Sequence, residues 1–195
     1  KHQIPQIPNF NDDLDLRDFG MVNPVRNCGS CPADWAFAAV AQFECKNFKQ
    51  SSVLYELSES FLIDCVPDCS GCDSGDFTAA VKYILHQYTG GMMTLSDYPY
   101  TQLQKECQVD QTKLVGEIHL HTFVDEDQED DMFLAYFVGL WKTVASCSLD
   151  ADHASFQLYH SGIYDEPNCV RTNLNHAVNC VGYGVQDDIL YFIVR

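Results

Sequence analysis

The chain has 195 residues, 46% of them hydrophobic, with 28 Asp and Glu against 11 Lys and Arg, a formal net charge of −17 at pH 7. That apolar fraction excludes a disordered chain, and the length suits one compact unit of one or two lobes that buries about 70% of its unfolded surface. The acidity excludes nucleic acid and anionic membrane surfaces as partners, because phosphate binding needs a cationic face.

Residues 1–13 hold two prolines and little periodicity and read as an extended arm. Trp35 to Lys49 is apolar around most of a helical circumference (Trp35, Phe37, Val40 and Phe43, with Ala36, Ala38, Ala39 and Ala41). Such a helix is expected to be central and buried. Ser58 is a candidate N-cap for a short second helix through Phe61, Leu62 and Ile63. Phe77, Ala80, Val81, Ile84, Leu85 and Tyr88 follow a helical spacing, and Gly90-Gly91 is expected to stop that helix. Glu117 to His121 alternates polar and apolar residues, as a half-exposed strand does. The acidic run 125–131 precedes an apolar stretch, Met132 to Trp141, and carboxylates ahead of a helix complement its dipole. Thr143–Leu149, Ala177–Tyr183 and Ile189–Val194 read as strands. The expected class is α+β, with a helical half over 14–110 and a β-rich half over 111–195.

Ten cysteines favour an oxidising compartment. Lys1-His2-Gln3-Ile4-Pro5 lacks the apolar core of a secretory signal, so the chain reads as an already processed form. The run Met132–Trp141 is about half a membrane span, so no membrane insertion is expected.

The stretch Asn23-Pro-Val-Arg-Asn-Cys28-Gly-Ser-Cys31-Pro-Ala-Asp34-Trp35-Ala-Phe resembles the nucleophile segment of papain-like cysteine proteases, in particular the cathepsin-L-like branch. Further segments resemble the family in the same order. They include Leu57-Ser58-Glu59, Ser70-Gly-Cys72-Asp-Ser-Gly75, Asp97-Tyr-Pro-Tyr100, Gly162-Ile-Tyr164, Asn175-His176-Ala177 and Val181-Gly-Tyr-Gly184. The resemblance implies a two-lobe fold, a helical left lobe and a β-barrel right lobe around a cleft, with the C-terminal hairpin missing. It also implies a mechanism in which a thiolate at a helix N-terminus pairs with an imidazolium, an Asn orients the His, and a Gln helps bind the oxyanion.

Transferred residue by residue, the His falls on His176, the nucleophile position holds Asp34, and the Gln position holds Cys28. The Asn-bearing segment of the family would begin after Arg195. A carboxylate is a poor nucleophile toward an amide, and its anhydride would expel it again. Asp34 suits a different role, since it can cap the helix and pair with a protonated His176, copying the charge pattern of the thiolate–imidazolium pair. In a second register Cys31 is the nucleophile, with a deletion before it and an insertion, Pro32-Ala33-Asp34, after it.

The resemblance implies disulfides Cys31–Cys72 and Cys65–Cys107, and leaves open whether Cys147 and Cys180 bridge. Cys169 matches a cysteine whose family partner is missing, and Cys28, Cys45 and Cys69 have no assignment. No metal and no cofactor is expected, since two of the three cysteines in Cys65-x3-Cys69-x2-Cys72 are used by disulfides. His119, His121, His153 and His160 read as solvated surface. Gly75 corresponds to the glycine that reads substrate backbone. Ser74, Asp76, Phe77, Asn175 and Ala177 line the same cleft by resemblance, and an acid at Asp76 would bias its pocket toward polar or basic side chains.

The expectation is therefore a catalytically inactive peptidase homologue with an intact peptide-binding cleft. Its partner would be a peptide or protein ligand, a protease inhibitor among the candidates, bound by a monomer in an extracellular, lysosomal or vacuolar setting. The alternatives are an active cysteine endopeptidase using Cys31 and His176, and a degenerate or truncated product without function.

Overall fold

A computed structural model describes residues 13–118 and 143–195. The acidic run 125–131, the stretch Met132–Trp141, His119 and His121 lie outside the described residues, as do arm residues 1–12.

Helix α1, Asp34–Ser51, is the shared element of two cores. Trp35, Ala36, Ala39, Val40 and Phe43 enter a helical core with Phe61, Leu62, Ile84, Met92 and Ile118. Ala41 and Cys45 enter a second core with Leu14, Leu16, Val144, Val181 and Tyr183. A helix buried on opposite faces needs apolar or small residues nearly all round, which is the composition its sequence has.

Helix α2, Glu59–Cys65, starts where expected, with the Ser58 hydroxyl accepting from Phe61 N at 3.1 Å. Helix α3, Phe77–Tyr88, is capped by Asp76, whose Oδ1 accepts from Ala79 N at 2.7 Å. It ends at Tyr88, the last residue of the expected spacing: Thr89 takes the left-handed conformation (φ 54°) and Gly90 follows at φ 81°. A Cβ on Gly90 would lie 2.5 Å from Ile118 N, so this turn requires the glycine for space as well as for φ.

A small two-stranded sheet, β2 (Met92–Met93) against β3 (Leu114–Val115), closes the helical core. Of the strand expected at Glu117–His121, Glu117 and Ile118 lie in no strand and the remaining residues lie outside the described residues.

The second half builds on β5, His176–Gln186, with β4, Ala145–Leu149, antiparallel along one edge and β6, Ile189–Val194, along the other. Strand β1, Leu14–Asp15, joins the edge of β5 that β4 uses, pairing with Tyr183 and Gly182. The β5–β6 hairpin turns on Asp187 and Asp188, both at positive φ, the pattern that matches strand twist.

The right lobe departs from the barrel implied by resemblance. Closure needs the outer strands to bond to one another. Among the described residues β4 and β6 each pair with β5 and not with each other, so this four-stranded antiparallel sheet is open.

Buried polar groups stitch helix to sheet. Asn179 Nδ2 donates to Ala38 O at 2.9 Å and to Ser146 Oγ at 3.0 Å, and Ser146 Oγ donates to Ala38 O at 2.8 Å. Near the other end of α1, Arg26 Nη2 lies 2.9 Å from Glu44 and 2.7 Å from Glu59, both 1% exposed. Arg195, at the end of β6, reaches across to donate to Asn23 O at 2.7 Å.

Candidate functional site

A cleft cavity of about 420 Å³ lies where the head of α1 meets the start of β5. Its lining includes Asp34 and Trp35 from α1, Asp73 to Phe77 from the loop before α3, and Asn175, His176 and Ala177. Chain reversal in the second half brings His176 to Asp34 from 142 residues away.

Asp34 is the first residue of α1 and is held at both oxygens. Oδ1 accepts from Trp35 N at 2.7 Å, while Oδ2 accepts from Ala177 N at 2.8 Å and lies 2.8 Å from His176 Nδ1. Burial raises the carboxyl's pKa, but the His176 hydrogen bond and the two amides outweigh it. The group therefore lies below its ordinary value. One expectation is modified here: Ala33 occupies the N-cap position without a side-chain bond, and Asp34 meets the helix dipole from inside the first turn.

This carboxylate stands where a nucleophile heading a helix would stand. With both oxygens committed to donors, it is set up to hold the imidazole and the amide of the facing strand.

Cys31 is fully buried and forms a disulfide with Cys72, so it carries no thiol in this structure. The bridge ties the segment before α1 to the loop that carries Asp73 to Phe77, fixing one wall of the cleft. Cys65 and Cys107 form the second disulfide. Cys147 and Cys180 are unbridged, and burial pushes their thiols up to about 11 and about 12 respectively. Cys28 is also free and does not line the cavity. Its carbonyl accepts from the Tyr100 hydroxyl at 2.7 Å.

Gly75 packs on Trp35: a Cβ there would sit 2.2 Å from the indole Cε2. The indole is itself fixed by Nε1 donating to Gly71 O at 3.2 Å. Close packing thus requires the glycine independently of any ligand. Ser74 and Asp76 are exposed on the rim, and Phe77 is half-buried.

Asn175 N donates to Leu149 O at 3.1 Å, and its side-chain oxygen accepts from Ala151 N at 2.9 Å. This anchors the residue before His176. The neighbouring Asp150 is buried at 3% exposure and gathers Val170 N at 3.2 Å, Asn173 Nδ2 at 3.0 Å and His153 Nε2 at 3.1 Å. His153, expected to be solvated, is instead part of this web, whereas His160 is exposed.

Sequence reasoning missed several cleft residues: Pro32, Trp35, Asp73, Ser148 and Leu174. Trp35 and Asp73 flank residues that were singled out and were within reach of the motifs. Ser148, on β4, and Leu174, in the loop before β5, come from the second half and are brought in by folding.

The family model described as "Papain family cysteine protease" matches residues 10–195. Testin-2 of Rattus norvegicus is 35% identical over 189 residues, covering 96% of this chain and 54% of that protein. Cysteine proteinase 5 of Dictyostelium discoideum is 38% identical over 170 residues, 87% of this chain and 48% of that protein. The solved structure of digestive procathepsin L2 proteinase from Tenebrio molitor larval midgut superposes with a TM-score of 0.83 at 30% identity, covering 94% of this chain and 57% of that one. The chain thus spans about half the length of the curated relatives it matches.

Proposed function

The chain belongs to the papain family of cysteine proteases, and we propose that within it this is a peptide-binding homologue without thiol catalysis. One observation carries the reading: the carboxylate of Asp34, not a thiol, lies 2.8 Å from His176 Nδ1 at the head of α1. A covalent mechanism of the family's kind needs a thiolate there, and an ionised carboxylate restrained by three donors does not attack an amide. Cys31, the other candidate nucleophile, is held in its disulfide with Cys72. Among the described residues no second carboxylate hydrogen-bonds Asp34, as a shared-proton aspartic mechanism would require.

Binding is supported by what the cleft keeps. The loop before α3 is pinned by a disulfide, by the Asp76 cap and by Trp35 beneath Gly75. Gly75 N and O make no backbone hydrogen bond among the described residues, so an extended peptide has a main-chain edge to pair with. The disulfides fit an extracellular or lysosomal setting. No helix among the described residues is long and apolar enough to cross a membrane.

Hydrolysis of fluorogenic peptides by the chain and by His176→Ala tests the reading. The expected result is no turnover that depends on His176. Turnover abolished by His176→Ala would overturn it.

A further inference from the structure

Two Cys-x-x-Cys motifs stand in the chain, Cys28-Gly29-Ser30-Cys31 and Cys69-Ser70-Gly71-Cys72. Their second members are bonded to each other, and their first members are free thiols. A thiol set three residues from a disulfide sulfur is placed for thiol–disulfide exchange. The two free thiols are not equivalent. Cys28 and Cys31 end a hydrogen-bonded turn: Cys31 N donates to Cys28 O at 3.3 Å, and Gly29 takes φ 63° inside it. Such a turn keeps its end Cα atoms within about 7 Å, and a disulfide spans about 4.4–6.8 Å.

Groups outside the turn pin it. The Tyr100 hydroxyl donates to Cys28 O at 2.7 Å and lies 3.4 Å from Cys31 O. Asn27 Oδ1 accepts from Gly29 N at 2.8 Å, and Gln102 Oε1 accepts from Ser30 N at 2.9 Å. Burial, and after it the neighbouring Cys28, push the Tyr100 phenol up to about 12, so the Cys28 sulfur lies near that clamp. The second motif is built differently. Its turn closes with Asp73 N donating to Ser70 O at 3.0 Å, and among the described residues Cys72 N makes no bond to Cys69 O. Cys69 Sγ accepts from Asp76 N at 3.4 Å, and burial first, then the charges of Asp76 and Asp68, raise its pKa. A raised thiol holds less of the attacking thiolate.

We infer that Cys28, Cys31 and Cys72 form a thiol–disulfide exchange centre, in which Cys28 displaces Cys72 from Cys31. The Cys28 thiolate attacks Cys31 Sγ. The Cys28–Cys31 bond forms, and the Cys31–Cys72 bond breaks with its electron pair on Cys72 Sγ, which takes up the proton that Cys28 gave off. The number of disulfides is unchanged, so no outside oxidant or reductant enters. The original bridge joins residues 41 apart, whereas the new one joins two ends of a single turn and constrains the chain far less. The loop Asp73 to Phe77 thereby loses its covalent tie to the segment before α1. It keeps Trp35 Nε1 donating to Gly71 O at 3.2 Å and the Asp76 cap, so one wall of the cleft is loosened without being unfolded. Cys72, half-buried, becomes a free thiol in that wall. Cys31 carries no thiol in either form.

The test is disulfide mapping by mass spectrometry. The folded chain is held at pH 8 without added thiol, quenched in acid, unfolded, alkylated with N-ethylmaleimide and digested without reduction. The expected result is a Cys28–Cys31 linkage beside the Cys31–Cys72 one, with Cys72 alkylated in the chains that carry the first. Cys28→Ser should abolish the label on Cys72, and Cys69→Ser should leave it unchanged. Absence of the Cys28–Cys31 linkage from the unaltered chain would overturn the inference without any variant. So would a label on Cys72 that survives Cys28→Ser, or one that Cys69→Ser removes, since the second motif would then carry the exchange.

Discussion

Asp34 ties the two halves of the chain together at the cleft. Its carboxylate joins the start of α1 to the start of β5 through Ala177 N and His176 Nδ1, each at 2.8 Å. The pair is half-exposed, with side chains 30% and 40% accessible, so its contribution is that of a screened pair, about 0.5–1 kcal/mol. Its sign with pH follows from the direction of the shift. Asp34 in the folded chain lies below its ordinary value, so its stabilisation is present above that value and is lost as pH falls through the lowered one. Asp34→Asn should therefore be less stable than the unaltered chain near pH 7, with the gap closing below about pH 4. Urea denaturation at the two pH values measures this, and a gap that widens on acidification would contradict it. The sequence placed Asp34 at the head of the central helix because Trp35-Ala36-Phe37 opens its apolar run. The two amides that fill its oxygens were not legible there, since they depend on how β5 abuts the helix.

At the scale of elements, α1 is held to the sheet by a polar clasp as well as by its two apolar faces. Asn179, 4% exposed, donates to Ala38 O and Ser146 Oγ. Removing this buried amide takes away both bonds, leaving Ser146 Oγ without its donor while Ala38 O keeps the Ser146 hydroxyl, which costs about 1–3 kcal/mol. Asn179→Ala should lower stability by that amount in chemical denaturation, while Asn168→Ala, on an exposed loop, should change it by less than about 0.5 kcal/mol. Equal effects would refute the clasp. The helices α1, α2 and α3 and the strands β4 to β6 were readable from periodicity and caps. The two-residue strands β1, β2 and β3 were not, because elements so short carry no period and exist only through their partners. The open sheet was missed for a related reason: alternation announces strands but not whether the outer ones meet.

For the whole molecule, Arg26 and Arg195, from the two halves of the chain, act on two buried carboxylates, Glu44 and Glu59. Burial, opposed by Arg26 and reinforced by Glu44, pushes Glu59 up to about 7. Arg26 Nη2 contacts Glu59 Oε1 at 2.7 Å as an ion pair without an aligned hydrogen bond. Burial raises Glu44 as well. A carboxyl whose folded value exceeds its ordinary 4.5 stabilises the fold fully below 4.5, and that contribution is lost as pH rises through about 7. The stake is on the order of 3 kcal/mol. Stability should fall between pH 5 and pH 8, and Glu59→Gln should flatten the profile; a profile unchanged by the substitution would contradict the assignment. The motifs carried the family and the cleft, while the charge seam escaped sequence reading because Arg26, Glu44, Glu59 and Arg195 converge only after folding. The central claim is that a carboxylate has taken the thiol's place beside His176. Its most direct test is intact-mass analysis after treatment with a peptidyl epoxide that alkylates a thiolate paired with an imidazole. The account predicts no adduct that depends on His176, and a stoichiometric adduct on one cysteine, lost in His176→Ala, would contradict it.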